Sequence, residues 1–331
     1  RLGIAVPQQL CIEVRVRIDE AGGDDLAVTS PLRHVRALWG KWWFLPGGLP
    51  LAYLAFVVAM GDTRFEHVLL TTVACGFAYA GPRSKRFFGD VWPYLAVAIG
   101  YDAVRYPRQL LVTADRVMGC GLRSAELALF SAGPDQTFQD FAQRHAHPVL
   151  DLIFAVPYAI FAYLALLYAA YLYFVDRPRM RHYLWAFAIA NYISFLMWLL
   201  VPAAPPWYLR AHGCVIDMAA LPSPAALTRV DALLGITYFH DFYSRASSVF
   251  GAMPSMHCAY PVLGLLTAWK ATTWKTRPIH ILYSIVMFLA AVYLDHHWIL
   301  DAIAGWAVAI VATILAKRLV TRAARGDPQP A

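Results

Sequence analysis

An all-α, polytopic membrane helix bundle is the fold this chain predicts, on three observations. Of its 331 residues 60% are hydrophobic and only 15% are Asp, Glu, Lys or Arg, far more apolar than a soluble domain of that length. The apolar residues come in runs that approach the ~20 residues needed to cross a bilayer. Lys and Arg gather in short clusters between those runs, so the formal charge of +7 reads as orientation in a membrane and not as a surface for nucleic acid.

About eight candidate spans follow in order. They run from Phe44 to Met60, Phe65 to Ala80, Phe88 to Tyr101, Pro148 to Val175, Tyr183 to Val201, Ser255 to Ala271, Ile279 to Leu294 and Trp298 to Ala316. The third is short and interrupted by Pro93, which predicts a tilted or re-entrant segment. Residues 1–41 hold no signal-peptide core and are expected to form a partly extended cytoplasmic arm. Residues 42–147 then read as accessory membrane helices with an outer loop, and residues 319–331 as a cytoplasmic tail that frays at its end.

The basic clusters set the orientation, because cytoplasmic loops hold the excess of Lys and Arg. Arg33, Arg36 and Lys41 precede the first span; Arg83, Lys85 and Arg86 follow the second; Arg177, Arg179 and Arg181 the fourth; Lys270, Lys275 and Arg277 the sixth; Lys317, Arg318 and Arg322 the eighth. Both termini are therefore expected on the cytoplasmic side. The segments from Asp102 to His147, Pro202 to Pro254 and Leu294 to Trp298 then face the other side, be it periplasm, exterior or lumen, and a bacterial inner membrane is the expected location.

Two motifs open helices on that outer side: Pro254-Ser255-Met256-His257 and His297-Trp298-Ile299-Leu300-Asp301. Ionisable groups near hydrocarbon cost several kcal/mol and mark function by default. Phosphoryl transfer needs a nucleophile, a proton donor for the leaving oxygen and fixed positive charge. His297 and Asp301 are four apart, so on one helical face the carboxylate can accept one imidazole N–H and orient the other nitrogen for attack. His257 is then the acid for the leaving group, with Ser255 and the free N–H groups at its helix start as phosphoryl ligands. His296 is out of phase with Asp301 and reads as a supporting or surface group. His240, Asp241 and Asp295 have no partner at a telling spacing and read as solvated.

These motifs resemble the second and third signatures of the phosphatidic-acid phosphatase type 2 superfamily. That resemblance covers roughly Pro148 to Ala316 and implies a six-helix membrane core, a phosphohistidine mechanism, catalysis without metal or other cofactor, and a catalytic domain over residues 148–318. Within it, Met256 stands where the lipid phosphatases usually have Gly. Pro202-Ala203-Ala204-Pro205-Pro206-Trp207 is similar to a segment of the inositol phosphorylceramide synthase branch. The phosphatases' first signature, a Lys followed by Arg-Pro, is missing before it. Together these features imply transfer of a phospho-headgroup, such as phosphoinositol, from a phospholipid to a lipid alcohol, with diacylglycerol leaving first.

The missing signature leaves the phosphate-binding cations to be found elsewhere. Arg105 and Arg245 are the candidates, able to clamp phosphate bidentately, whereas Arg108 and Arg210 read as snorkelling to headgroups. Cys11, Cys75, Cys120, Cys214 and Cys258 have no zinc-like spacing. Cys120 and Cys214 share the outer side, which permits a disulfide without requiring one. Two other activities fit the same residues: hydrolysis of a lipid phosphomonoester or pyrophosphate, and a transporter's His/Asp relay. The relay predicts polar residues spread through the bundle's depth, whereas here they cluster at one end.

Overall fold

The computed structural model describes residues 30–326, with side chains through Arg322; the predicted extended arm before Ser30 and the end of the tail lie outside the described residues. Contacts group the chain into a unit ending at Leu45 and one beginning at Pro46. In the first, the end of the predicted arm is helical, α1 (Pro31–Trp39). Pro31 presets its first turn, and Gly40, at a φ of 59°, ends it.

The remaining chain begins with the helices α2 (Leu45–Ala59), α3 (Phe65–Tyr79) and α4 (Pro82–Ala103). After three short helices, α5 (Arg105–Leu111), α6 (Cys120–Leu129) and α7 (Phe138–Arg144), come α8 (Pro148–Val175) and α9 (Arg177–Leu200), followed by the short α10 (Pro206–His212). The bundle closes through α11 (Thr228–Leu234), α12 (Tyr238–Tyr243), α13 (Met256–Ala268), α14 (Arg277–Tyr293) and α15 (Ile299–Gly326). The helical class holds, with one small exception: β1 (Ser131–Gly133) and β2 (Gln136–Thr137) pair as an antiparallel hairpin.

Each predicted apolar run is a helix, but by length and composition three described helices can cross a bilayer unbroken: α8, α9 and residues Ile299–Arg322 of α15. The others fall short for local reasons. Turns confine α2 and α3 to 15 residues, α13 to 13 and α14 to 17. The third run corrects its expectation in the other direction: α4 continues for 22 residues through Pro93. It extends backward into Arg83, Lys85 and Arg86, whose charges interrupt its apolar character.

Helix starts are written locally. Asp176 caps α9 by accepting from Arg179 N–H at 3.1 Å, and Ser255 caps α13 by accepting from Cys258 N–H at 3.3 Å. Small residues then let helices approach closely: Ala186 and Ala190 of α9 and Ala309, Ala312 and Ala316 of α15 are fully buried in one core cluster. At Gly305 the approach is closest, since a Cβ there would lie 2.2 Å from the Ser255 carbonyl oxygen. Only glycine lets α15 cross the start of α13 at that point.

The loops that hold Met118, Pro202 to Ala204 and Ala252 are more ordered than their sequence suggests. Pro202 to Ala204 forms the middle of a parallel ladder: Met118 N–H donates to Pro202 O at 2.8 Å, and Ala252 N–H to Ala203 O at 3.2 Å. A disulfide joins Cys120 of α6 to Cys214 just beyond α10, with Cα atoms 5.5 Å apart.

Candidate active site

The turn between α14 and α15 carries His296 and His297, and its shape explains their positions. His296 N–H and His297 N–H both donate to Ala291 O, at 3.2 and 3.1 Å, which wraps the chain back onto the end of α14. Asp295 adopts a left-handed φ of 64° to make this turn, a conformation that short polar side chains tolerate best after glycine. Its carboxylate is gripped by the Arg210 fork, Nε to Oδ2 at 2.9 Å and Nη2 to Oδ1 at 3.0 Å. Asp295 is thus no solvated loop residue, being 3% exposed, and Arg210, which also pairs with Asp140 at 3.0 Å, does not snorkel to lipid.

The first turn of α15 needs partners for its free N–H groups, and a distant residue supplies them. Glu126 of α6, fully buried, accepts from Ile299 N–H at 2.7 Å and Leu300 N–H at 3.2 Å. Gln139 of α7 donates from Nε2 both to Glu126, at 3.1 Å, and to the His297 carbonyl, at 3.0 Å. Burial pushes the Glu126 carboxyl above the usual carboxylate range, against these hydrogen bonds.

Within this frame the two motifs meet. His257 Nδ1 lies 3.0 Å from His297 Nε2. His297 Nδ1 lies 3.0 Å from Ala252 O and 3.6 Å from Asp301 Oδ2. Asp301 is fully buried; its Oδ2 accepts from Trp298 N–H at 2.9 Å, and its carbonyl accepts from Ser255 N–H at 2.9 Å, joining the two helix starts. Tyr158 stacks on the His257 ring at 4.4 Å, Phe161 tilts against it at 4.4 Å, and the Tyr243 hydroxyl lies 3.3 Å from His257 Nε2.

The carbonyl of Ala252 can only accept, so His297 Nδ1 carries the proton and, in the neutral ring, Nε2 carries the lone pair. His257 Nδ1 must then donate to it, and His257 Nε2 accepts from Tyr243. One chain of protons satisfies every contact. Burial raises the Tyr243 hydroxyl well above the ordinary tyrosine range, which keeps that donor protonated.

The other predicted residues are placed as follows. Ser255 is buried, and its hydroxyl oxygen caps α13 by accepting from Cys258 N–H. Arg105 bonds Asp102, beside Arg64 and Tyr53 on the same carboxylate, and lies 3.6 Å from Asp62. It is not on the wall of the cavity described next. Arg245 is on that wall, its side chain 76% exposed and 3.9 Å from Glu66. His296 is no surface group: it is buried between Tyr158 and Tyr243, its Nε2 lies 3.1 Å from Pro224 O, and burial, then His297, push its pKa down to about 3.

A cavity of about 740 Å³ opens on His257, His296, His297 and Arg245. It continues between α4, α8, α9 and α13, past Tyr94, Phe161 and Phe187. A polar end with imidazoles and a guanidinium thus leads into an apolar limb of lipid-binding size.

Residues 135–315 match the PAP2 superfamily. The chain is 29% identical over 267 residues to the phosphoinositol dihydroceramide synthase of Bacteroides thetaiotaomicron, covering 78% of this chain and 86% of that one. It is 32% identical over 271 residues to the inositol phosphorylceramide synthase of Candida albicans, and 31% over 181 residues to the synthase's catalytic subunit in Schizosaccharomyces pombe. Coverage of this chain is 78% and 53%, and it spans only 54% and 42% of those two fungal relatives. No solved structure matches. With the matched family model covering more than half its length, the chain belongs to the PAP2 superfamily and is a membrane phosphotransferase/phosphatase of its inositol phosphorylceramide synthase-like branch.

Proposed function

We propose that this enzyme moves a phospho-headgroup, phosphoinositol, from a phospholipid to a lipid alcohol through a phosphohistidine on His297. The observation that carries the reading is the 3.0 Å contact between His257 Nδ1 and His297 Nε2, which pairs a lone-pair nitrogen with an N–H donor. A phosphoryl group entering between the rings replaces that bond with the two contacts the reaction needs. His257 reacts as an imidazolium, with a second proton taken from solvent onto Nε2 when the anionic phosphate binds. His297 Nε2 attacks phosphorus, and the His257 Nδ1 proton goes to the departing diacylglycerol oxygen, leaving the His257 ring neutral. Asp301, whose Oδ1 has no partner among the described residues, offsets the charge on the phosphorylated ring. The acceptor hydroxyl then returns its proton to His257 as its oxygen displaces His297 from phosphorus. Arg245 at the cavity mouth supplies positive charge for the equatorial oxygens. Arg105 reaches the site only by exchanging Asp102 for phosphate; Ser255, whose cap uses an oxygen lone pair and leaves its O–H to donate, is not on the cavity wall, so both rank behind Arg245.

In this reading residues 148–318 form the catalytic domain and residues 42–147 are accessory. Eight crossings put both termini in the cytoplasm and the histidines on the outer face of a bacterial inner membrane. The apolar limb, open between helices, takes lipid chains and keeps water from the intermediate. Purified protein in vesicles with headgroup-labelled phosphatidylinositol and a lipid alcohol is expected to place label on the acceptor lipid faster than it releases phosphate or phosphoinositol. Inorganic phosphate from a phosphomonoester as the main product, whatever acceptor is present, would make it a phosphatase.

A further inference from the structure

On the wall of the cavity, among its aromatic residues, sits a pair of polar side chains that the chemistry above does not use. Asn191 of α9 is buried at 3% exposure, and its Oδ1 accepts from the Tyr260 hydroxyl of α13 at 2.9 Å. Its Nδ2 donates to Phe187 O of its own helix at 2.8 Å. Both residues line the cavity. Around them the wall is aromatic: Phe187 lies 4.7 Å from the Tyr260 ring and 5.5 Å from that of Tyr94, and Phe161 lies 6.0 Å from Tyr260.

These bonds leave capacity over. An amide nitrogen has two hydrogens and a phenol oxygen accepts as well as donates, so one Asn191 N–H and the Tyr260 lone pairs remain for an occupant. An all-hydrocarbon chain lying there leaves them unmet in a dry limb, which costs free energy. A hydroxyl or amide on the occupant meets both.

The position on the helix gives the distance. Tyr260 follows His257 by three residues on α13, about 4.5 Å further along the axis at 1.5 Å per residue. A lipid whose reacting hydroxyl lies between the histidines therefore meets the pair a few bonds behind that hydroxyl.

Building on the transferase reading, we propose that Asn191 and Tyr260 determine acceptor specificity by hydrogen bonding an amide or second hydroxyl set two to three bonds behind the reacting alcohol. An N-acyl amino alcohol such as ceramide carries both groups at that place. A 1,2-dialkylglycerol offers the same primary hydroxyl and chains but only ether oxygens behind it.

Initial rates of headgroup transfer from labelled phosphatidylinositol to each of these two acceptors, in vesicles of phosphatidylcholine, test the pair. In Tyr260→Phe and Asn191→Leu the ratio of kcat/KM for ceramide to that for dialkylglycerol is expected to fall at least tenfold, because a site built to bond a group discriminates strongly against its absence. Thermal unfolding in detergent accompanies each variant, and Tyr260→Phe, which keeps the ring, guards against a misfolded Asn191→Leu. An unchanged ratio, with both acceptors slowed alike, reduces the pair to a bond between α9 and α13 and overturns the proposal. Transfer to neither acceptor by the unmutated protein fails at an earlier step: it removes the transferase reading, and this inference with it.

Discussion

His297 Nδ1 and the Ala252 carbonyl oxygen lie 3.0 Å apart, and this contact selects the nitrogen that faces phosphorus. A backbone carbonyl cannot donate, so it fixes the tautomer without relying on Asp301, which stands at 3.6 Å. His297→Ala is expected to abolish transfer. His257→Asn keeps a polar group but no transferable proton, and is expected to lower kcat by roughly 10²–10⁴-fold. Single turnovers with headgroup-labelled donor, quenched in alkaline detergent because phosphohistidine is lost in acid, are expected to label the unmutated protein and neither variant.

Asp301→Asn keeps the size of the side chain and its bond to Trp298 N–H while removing the charge. A loss of about 10²-fold or more in kcat with little change in KM is expected, since the carboxylate offsets charge that develops only during transfer. Steady-state kinetics with saturating acceptor decide it. An effect confined to KM would place Asp301 in substrate binding instead.

Glu126 holds the start of α15 from another part of the chain. Glu126→Ala strands two N–H groups, at a cost of about 1–3 kcal/mol, and frees the His297 segment to move. Both the unfolding temperature in detergent and kcat are expected to fall. Glu126→Gln, with one accepting oxygen, is expected to lie between.

Gly305→Ala puts a methyl group where only 2.2 Å separates it from Ser255 O. Overpacking of this kind costs about 1–3 kcal/mol, and here it pushes α15 and α13 apart where the two histidines meet. The melting temperature is expected to drop, with kcat per folded molecule falling as well.

For pH, His296 supplies the sign. Its pKa is pushed from 6.5 down to about 3 by burial, so below pH 6.5 the unfolded chain takes up a proton that the folded chain refuses. Stability present at neutral pH is therefore lost as pH falls from about 6.5 toward 3. The unfolding temperature is expected to be lower at pH 5 than at pH 7.5, and His296→Gln is expected to flatten that dependence.

What was legible in the sequence was whatever repeats within a few residues. Apolar runs located the long helices, and the four-residue step from His297 to Asp301 marked two side chains that lie 3.6 Å apart, although His297, too, precedes α15. What was hidden depended on distant parts of the chain. Arg210 meets Asp295 across 85 residues, and Glu126 meets Ile299 across 173, so no local spacing announces either. Of the two places helical phase leaves open for His296, supporting or surface, it cannot exclude the second, because the residue precedes the helix. The turn at Asp295 sends it inward, between Tyr158 and Tyr243. Pro93 was overweighted: a helix packed along α9 absorbs one missing hydrogen bond, which a lone segment would not.

The bond between Cys120 and Cys214 closes a stretch of 94 residues, and its two ends lie on the elements that grip the His297 turn, α6 through Glu126 and α10 through Arg210. In a chain threaded into a membrane, those elements emerge before and after α8 and α9 are inserted, so the grip is assembled late. The disulfide can close only once both halves have arrived, and it then ties them together covalently. With the site on the outer face, as proposed, an enzyme that handles membrane lipids would in this way acquire its working geometry only after leaving the reducing side where it was made.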